Sequence, residues 1–278
     1  MTSWLRGGPK QARSAINSEA RPHGRPTTAK AYGFGWRKDP YDEEDWKYAP
    51  PPGVGKLPAR VDLRPYCPPV YNQKSLNSCS ANAIAAAVEF DLMREKHERV
   101  IFPSRLFLFY NSRAMERTER SDNGVYIRDA IKALALHGDC PENLWPYVEK
   151  KFATRPPKKC YDKALRYRAV EYYRIHRNLD DMRACLASGY PFVFGFSAHE
   201  KFRDVVKKTG RLEMPAPHEG VIGKHAVLAV GYNDHERQLI VRNSWGARFG
   251  RGGYFSMPYG YLQKEDLSAD FWTVRVVS

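Results

Sequence analysis

Near Pro191 the chain changes its periodicity, and this limits its fold more than any other feature. Upstream, apolar residues recur at helical spacing: Ala81, Ile84, Ala85, Val88 and Leu92 lie over strong helix formers. Ser104, a good N-cap, opens a second predicted helix that runs to Arg113. A third is predicted over residues 126–137, with Ile127, Ile131 and Leu134 on one face and Gly138 as its stop. Residues 178–188, followed by Gly189, read as a short fourth helix. Downstream, residues 192–196, 225–232, 238–242, 253–257 and 271–277 are β-rich and separated by turn residues. Asn233-Asp234-His235-Glu236 reads as the loop between two antiparallel strands. Helices in one half and antiparallel strands in the other make an α+β chain. No internal repeat is visible.

With 278 residues, the chain can bury a substantial core in one large domain or two small lobes. It contains no run of about eighteen apolar residues, so no membrane span is expected. The first residues lack the apolar stretch of a secretory signal, which leaves retention, another export route or a removed signal as expectations. A net charge of +14 permits contact with nucleic acid or nucleotides, but no nucleic-acid-binding module accompanies it. The five cysteines are an odd number, so at least one thiol stays free. Their spacing with the histidines is not that of a metal site, and no P-loop or dinucleotide fingerprint occurs. Neither metal nor cofactor is expected, and the chain is expected to be a monomer.

Residues 1–57 differ from the rest. Gly7-Gly8-Pro9 and the Arg21 to Pro26 region supply breakers and positive charge with little periodicity. Tyr32-Gly33-Phe34-Gly35-Trp36 is suited to lying across a groove in extended form. An acidic stretch from Asp39 to Asp45 follows, and Pro50-Pro51-Pro52-Gly53 then spaces the segment from residues 58–278. Within the larger part, the boundary between helical and β-rich lobes is expected near residues 170–171.

One set of residues comes close to naming a reaction. Cys79 opens the first predicted helix, His225 begins an apolar strand and Asn243 ends the next one. A thiol attacks a carbonyl well only as thiolate, and a helix N-terminus together with a nearby imidazolium favours that form. The imidazole can later protonate a leaving amine. An antiparallel strand pair would bring Asn243 beside His225, where its amide can orient the ring. Gln73 lies six residues before the cysteine (79 − 73), where its amide and the Cys79 N–H can hold an oxyanion.

Three blocks carry a family resemblance: Asn72-Gln73-x-Ser75-x-x-Ser78-Cys79, His225-Ala226-Val227-x-x-Val230-Gly231-Tyr232, and Arg242-Asn243-Ser244-Trp245-Gly246 followed by Gly250-x-Gly252-Gly253-Tyr254. The chain resembles the papain-like cysteine peptidases over residues 58–278, most of all bacterial members of the xylellain type. The separation of 146 residues between Cys79 and His225 (225 − 79) agrees with that family. The resemblance implies a two-lobed fold, with a helical left lobe, an antiparallel β-barrel-like right lobe and the active-site cleft between them. It implies Cys79 as nucleophile, His225 as acid and base, Asn243 as its orienter and Gln73 in the oxyanion hole. Trp245 would cover the Asn243–His225 contact, while Gly124 and Val125 would pair with an extended substrate. Protein or peptide substrates are the implied partners, and residues 1–57 the implied propeptide or cleft cover.

The chain also departs from the family. Leu76 stands where a second cysteine is usual, Ser80 replaces an aromatic residue, and Phe249 replaces a second tryptophan. Lys224 precedes the histidine and is expected to lower its pKa through like charge. Alternatives to peptide hydrolysis are acyl transfer to an amine by the same triad and a non-catalytic, basic peptide- or polyanion-binding module.

Overall fold

In a computed structural model of the protein, the structure describes residues 32–51, 56–94 and 100–277. The Gly7-Gly8-Pro9 and Arg21 to Pro26 breakers, and part of the proline spacer, lie outside the described residues.

The helical half is built around α1 (Cys79–Arg94), with α2 (Arg105–Met115) and α3 (Ile127–His137) packed against it. The spacing of Ile84, Val88 and Leu92 predicts one apolar face, but every residue of α1 as far as Leu92 is buried. Small side chains at Ala81, Ala83, Ala85, Ala86 and Ala87 let neighbours approach from all sides, as a central helix requires. Ser104 caps α2, its Oγ accepting from Phe107 N at 3.2 Å. Gly138 stops α3 at φ +70°, where a Cβ would come within 1.8 Å of the Ala164 carbonyl oxygen.

The other half centres on a seven-stranded sheet. Its strands are β2 (Arg60–Asp62), β4 (Arg168–Arg174), β5 (Phe192–His199), β6 (Val221–Asn233), β7 (Gln238–Arg242), β8 (Tyr254–Pro258) and β9 (Ser268–Val277). The order is β4-β9-β5-β6-β7-β8, with β2 also paired to β6, and all these pairings are antiparallel. Helices also lie in and before this half: α4 (Lys158–Ala164), α5 (Leu179–Ala187), α6 (Phe202–Thr209) and α7 (Tyr259–Gln263). Of these, the periodicity predicts only α5, capped by Asn178 Oδ1 on Asp181 N at 2.7 Å. The fold is α+β and two-lobed. The lobes meet where α1 packs against β6.

Two short strands tie the N-terminal segment to this frame. β1 (Trp36–Arg37) runs parallel to β3 (Val125–Tyr126), and Val125 N donates to Gly35 O at 2.9 Å. Further along, Arg174 N donates to Trp46 O at 2.7 Å and Tyr48 N to Arg174 O at 2.9 Å, so the segment continues beside β4.

Candidate active site

Cys79 is the first residue of α1, at the positive end of its dipole. His225 is the first buried residue of β6, and Asn243 follows the last residue of β7. The β6–β7 pairing brings the two together: His225 Nε2 lies 2.7 Å from Asn243 Oδ1. Ser244 N donates to the same oxygen at 2.8 Å, which fixes the amide orientation. Nε2 therefore donates, and Nδ1 is left as the free acceptor of a neutral ring, buried and without a hydrogen-bond partner. Cys79 Sγ accepts from Ala226 N, the residue after the histidine, at 3.3 Å. The thiol that opens α1 thus touches the backbone of β6 one residue beyond the histidine.

Gln73 reaches the same place through the loop before α1. Gln73 N donates to Ser244 O at 2.8 Å and Gly246 N to Tyr71 O at 2.8 Å, which fastens the loop to the strand end. The side chain is fully buried, with Ser244 Oγ donating to its Oε1 at 2.6 Å. Its Nε2 donates to Leu76 O at 2.9 Å and to Gly33 O at 3.1 Å. That second acceptor is a backbone carbonyl of the N-terminal segment.

Residues 32–36 lie across the site. The Tyr32 ring stacks on Trp245 at 4.8 Å, and the Phe34 ring meets His225 edge-on at 5.9 Å. Trp245 in turn lies 4.6 Å from the His225 ring, tilted 35° to it. Trp36 lies on the Gly195 backbone, where any Cβ would come within 2.0 Å of the indole. Gly124 has φ +72°, and a Cβ there would meet Gly35 O at 2.0 Å, so only glycine lets the two backbones run this close. Gly124 and Val125 thus contact an extended segment, and that segment is the chain's own.

This burial sets the protonation of the pair. The Cys79 thiol is pushed above its ordinary value by burial, against which the backbones of Ala226, Gly35 and Ser80 pull. Helix position alone predicts a lowered value, but removal from water outweighs it. Burial also lowers His225 to about 4, against the raising effect of the Asn243 hydrogen bond. The like charge that adds to this lowering is Arg203 and not Lys224. The Lys224 ammonium instead sits 5.9 Å from the Trp36 ring centroid. In this arrangement both groups are neutral.

Sequence reasoning missed Ser244, which bridges Gln73 to the strand end, and Arg203, whose guanidinium lies 4.8 Å from the Phe34 ring centroid. Ser244 is within the Asn-Ser-Trp-Gly block, so its place was a usable signal; Arg203 lies on α6, which no periodicity marks. The departures find places too. Leu76 supplies the carbonyl that Gln73 holds, and Phe249 meets Trp245 edge-on at 4.8 Å. All five cysteines are free. Among the described residues no cluster of His, Cys, Asp and Glu could hold a metal, and no helix is long and apolar enough to cross a membrane.

The sequence model of the papain family cysteine proteases matches residues 57–270. The chain belongs to that family. It is a cysteine-type peptidase, a hydrolase. A peptidase C1-like protein of Acanthamoeba polyphaga mimivirus is 41% identical over 216 residues, 74% of this chain and 70% of that protein. Pro-cathepsin H of Mus musculus is 26% identical over 226 residues, 75% of this chain but 62% of its own length. Among solved structures, xylellain, a cysteine protease from Xylella fastidiosa, superposes with a TM-score of 0.84 at 38% identity, covering 92% of this chain and 100% of that one.

Proposed function

We propose that the chain is an endopeptidase whose reaction is carried by Cys79, His225, Asn243 and Gln73, and that residues 32–51 hold the cleft closed. The observation that carries the reading is the 2.7 Å contact from His225 Nε2 to Asn243 Oδ1, which leaves Nδ1 as the ring's free nitrogen, while Cys79 Sγ lies 3.3 Å from the backbone N of the next residue. When the cleft is open to water, the burial that raises Cys79 and lowers His225 is relieved. The thiol proton then passes to Nδ1. Cys79 Sγ bonds to the scissile carbonyl carbon, and the carbonyl electron pair moves to oxygen, held by Gln73 Nε2 and Cys79 N. His225 gives its proton to the departing amine as the C–N bond breaks. A water then loses a proton to His225 and releases the acid product from sulfur. Trp245 shields the imidazole–amide contact throughout, and Gly124 and Val125 offer backbone to the extended substrate.

Support for Gln73 in the oxyanion role is its hydrogen bond to Gly33 O, a peptide carbonyl already in place of a substrate's. Support for the cover is that one extended segment meets Trp245, His225, Gln73 and Val125 in turn. The relative named pro-cathepsin H is a precursor by that name, and a cover on this chain fits the same logic.

A panel of fluorogenic dipeptides, given to the full chain and to a chain beginning near Leu57, tests both parts. Cys79→Ala is the control, and a thiol-directed epoxide reports on the site without turnover. Neither turnover nor labelling in either chain would sink the catalytic assignment. Equal turnover by the two chains would remove the cover.

A further inference from the structure

Beside the cleft, three carboxylates and two guanidiniums fasten the N-terminal segment to the lobes. Arg174 reaches Asp45 Oδ2 at 2.8 Å, Asp270 Oδ1 at 2.9 Å and Asp39 Oδ2 at 3.8 Å. Arg128 reaches Asp45 at 2.7 Å, and its backbone N donates to Asp39 Oδ1 at 3.2 Å. Asp39 and Asp45 come from the segment; Asp270, Arg174 and Arg128 come from β9, β4 and α3. The Asp39 and Asp270 side chains have no exposure to solvent. Asp270 Oδ2 accepts from both Trp36 Nε1 at 3.0 Å and Asp39 N at 2.7 Å, and Trp272 Nε1 donates to Asp39 Oδ2 at 2.9 Å.

The charges in this cluster do not balance. Three carboxylates against two guanidiniums leave one excess negative charge, with Asp39 and Asp270 fully buried, and a proton can remove it. The surrounding cations do not supply the deficit. Lys38 bears on Asp270 but is exposed and bonded to Glu265 at 2.7 Å, Arg177 donates to the Leu262 and Lys264 carbonyls, and Lys132 faces Asp42 at 3.9 Å. We propose that the Asp39–Asp270 pair is a proton-operated latch, in which the segment docks with one proton held by the two carboxylates and is loosened when that proton leaves. The proposal rests on the reading of residues 32–51 as a cleft cover. It gives the latch a sign: it tightens with acid.

Burial, then the neighbouring Asp270 charge, raises Asp39 from 3.8 to about 7 in the docked segment. Released into water, the same carboxyl returns to its ordinary value. The docked form therefore binds more protons, and docking is strengthened below 3.8 and loses this contribution as the pH rises through about 7. Between about pH 5.5 and about pH 8.5 this amounts to roughly a 30-fold weakening. His225 works in the opposite sense, because the cover holds its ring neutral down to about 4 and acid favours releasing it. The two must therefore be separated by comparison and not read from one pH profile.

The measurement is hydrogen exchange, followed by mass spectrometry, of the peptide covering residues 32–45. It uses the full chain carrying Cys79→Ala, so that no turnover is required. Protection factors, corrected for intrinsic exchange, are compared between this parent and its Asp39→Asn derivative. The His225 titration is common to both and cancels in the ratio. The expected result is a ratio of parent protection to Asp39→Asn protection that falls about 30-fold from about pH 5.5 to about pH 8.5. Asp270→Asn, from the other side of the pair, should give the same trend. A ratio constant within about twofold, or one that rises with pH, overturns the latch. So does loss of protection by both variants at the acid end, since a neutral amide should imitate the protonated pair. Absence of protection in the parent at every pH would instead overturn the cover itself.

Discussion

Trp36 is the segment's largest side chain against the Gly195 strand, with 5% of its surface exposed. Its ring covers the Gly195 backbone and its Nε1 reaches Asp270 Oδ2 at 3.0 Å. A buried tryptophan removes about 150–250 Å² from water, worth about 4–6 kcal/mol at about 25 cal/mol per Å². Alanine retains part of that burial, and measured truncations of this kind cost about 3–5 kcal/mol. The loss falls on the docking equilibrium and not on folding, because Trp36 precedes the frame. Trp36→Ala should therefore raise the open fraction by at least about 100-fold until the open form dominates. The assay is the second-order rate at which a thiol-directed epoxide labels Cys79 in the full chain. Trp36→Phe keeps most of the ring area but leaves an oxygen of Asp270 without its indole donor, so it should fall between parent and alanine. Tyr41→Ala, at a residue 84% exposed, is the control and should change nothing. A labelling rate within about threefold of the parent for Trp36→Ala would refute the reasoning, because the burial of that ring would then not hold the cleft closed.

Other consequences can be checked separately. In a Trp36→Ala background, Asn243→Ala should lower kcat by about tenfold or more with a smaller change in KM, since the amide holds a ring orientation needed in the transition state. The same change should move the acid limb of the rate profile to lower pH, because the Asn243 hydrogen bond raises the His225 pKa. Gly138→Ala forces a Cβ toward the Ala164 carbonyl at φ +70° and should cost about 1–3 kcal/mol, seen as a lower Tm. Asp139 is fully buried, neither of its oxygens meets a hydrogen-bonding side chain, and burial holds its carboxyl well above the usual range. Its contribution to stability is thus present below 3.8 and lost as pH rises toward the folded value. The Tm of Asp139→Asn minus that of the parent should then grow from about pH 5 to about pH 8; a constant difference would refute this.

Much of the frame was legible because it depends on short-range pattern. Helices α1, α2, α3 and α5 carry apolar spacing, Ser104 or Asn178 caps, or Gly138, and strands β5 to β9 carry β-branched and aromatic runs between turn residues. The shorter or more polar elements were not read. Helices α4, α6 and α7 span eight residues or fewer, and β1 to β3 two or three, too little for a period to emerge. Strand β4, Arg-Ala-Val-Glu-Tyr-Tyr-Arg, mixes charge with its aromatics and is held by pairing to β9. Those pairings join residues about a hundred positions apart, a contact no local pattern encodes.

By itself, the sequence determined which chemistry is on offer. Cys79 at a helix start, His225 on one strand, Asn243 just past the end of the next and Gln73 before the helix are local placements, and each follows from nearby residues. Only the tertiary structure decided the state of those groups. The helix dipole at Cys79 argues for a thiolate, yet the folded chain buries the thiol beneath the N-terminal segment, and desolvation outweighs the dipole. Lys224 adjoins His225 in the chain, yet its ammonium lies toward Trp36 while Arg203, from α6, acts on the ring. The acidic residues Asp39 and Asp45 were plain in the sequence, but Arg128, Arg174 and Asp270 come from three separate elements. Charge and burial are sums over neighbours in space, and the chain's order does not record who those neighbours are.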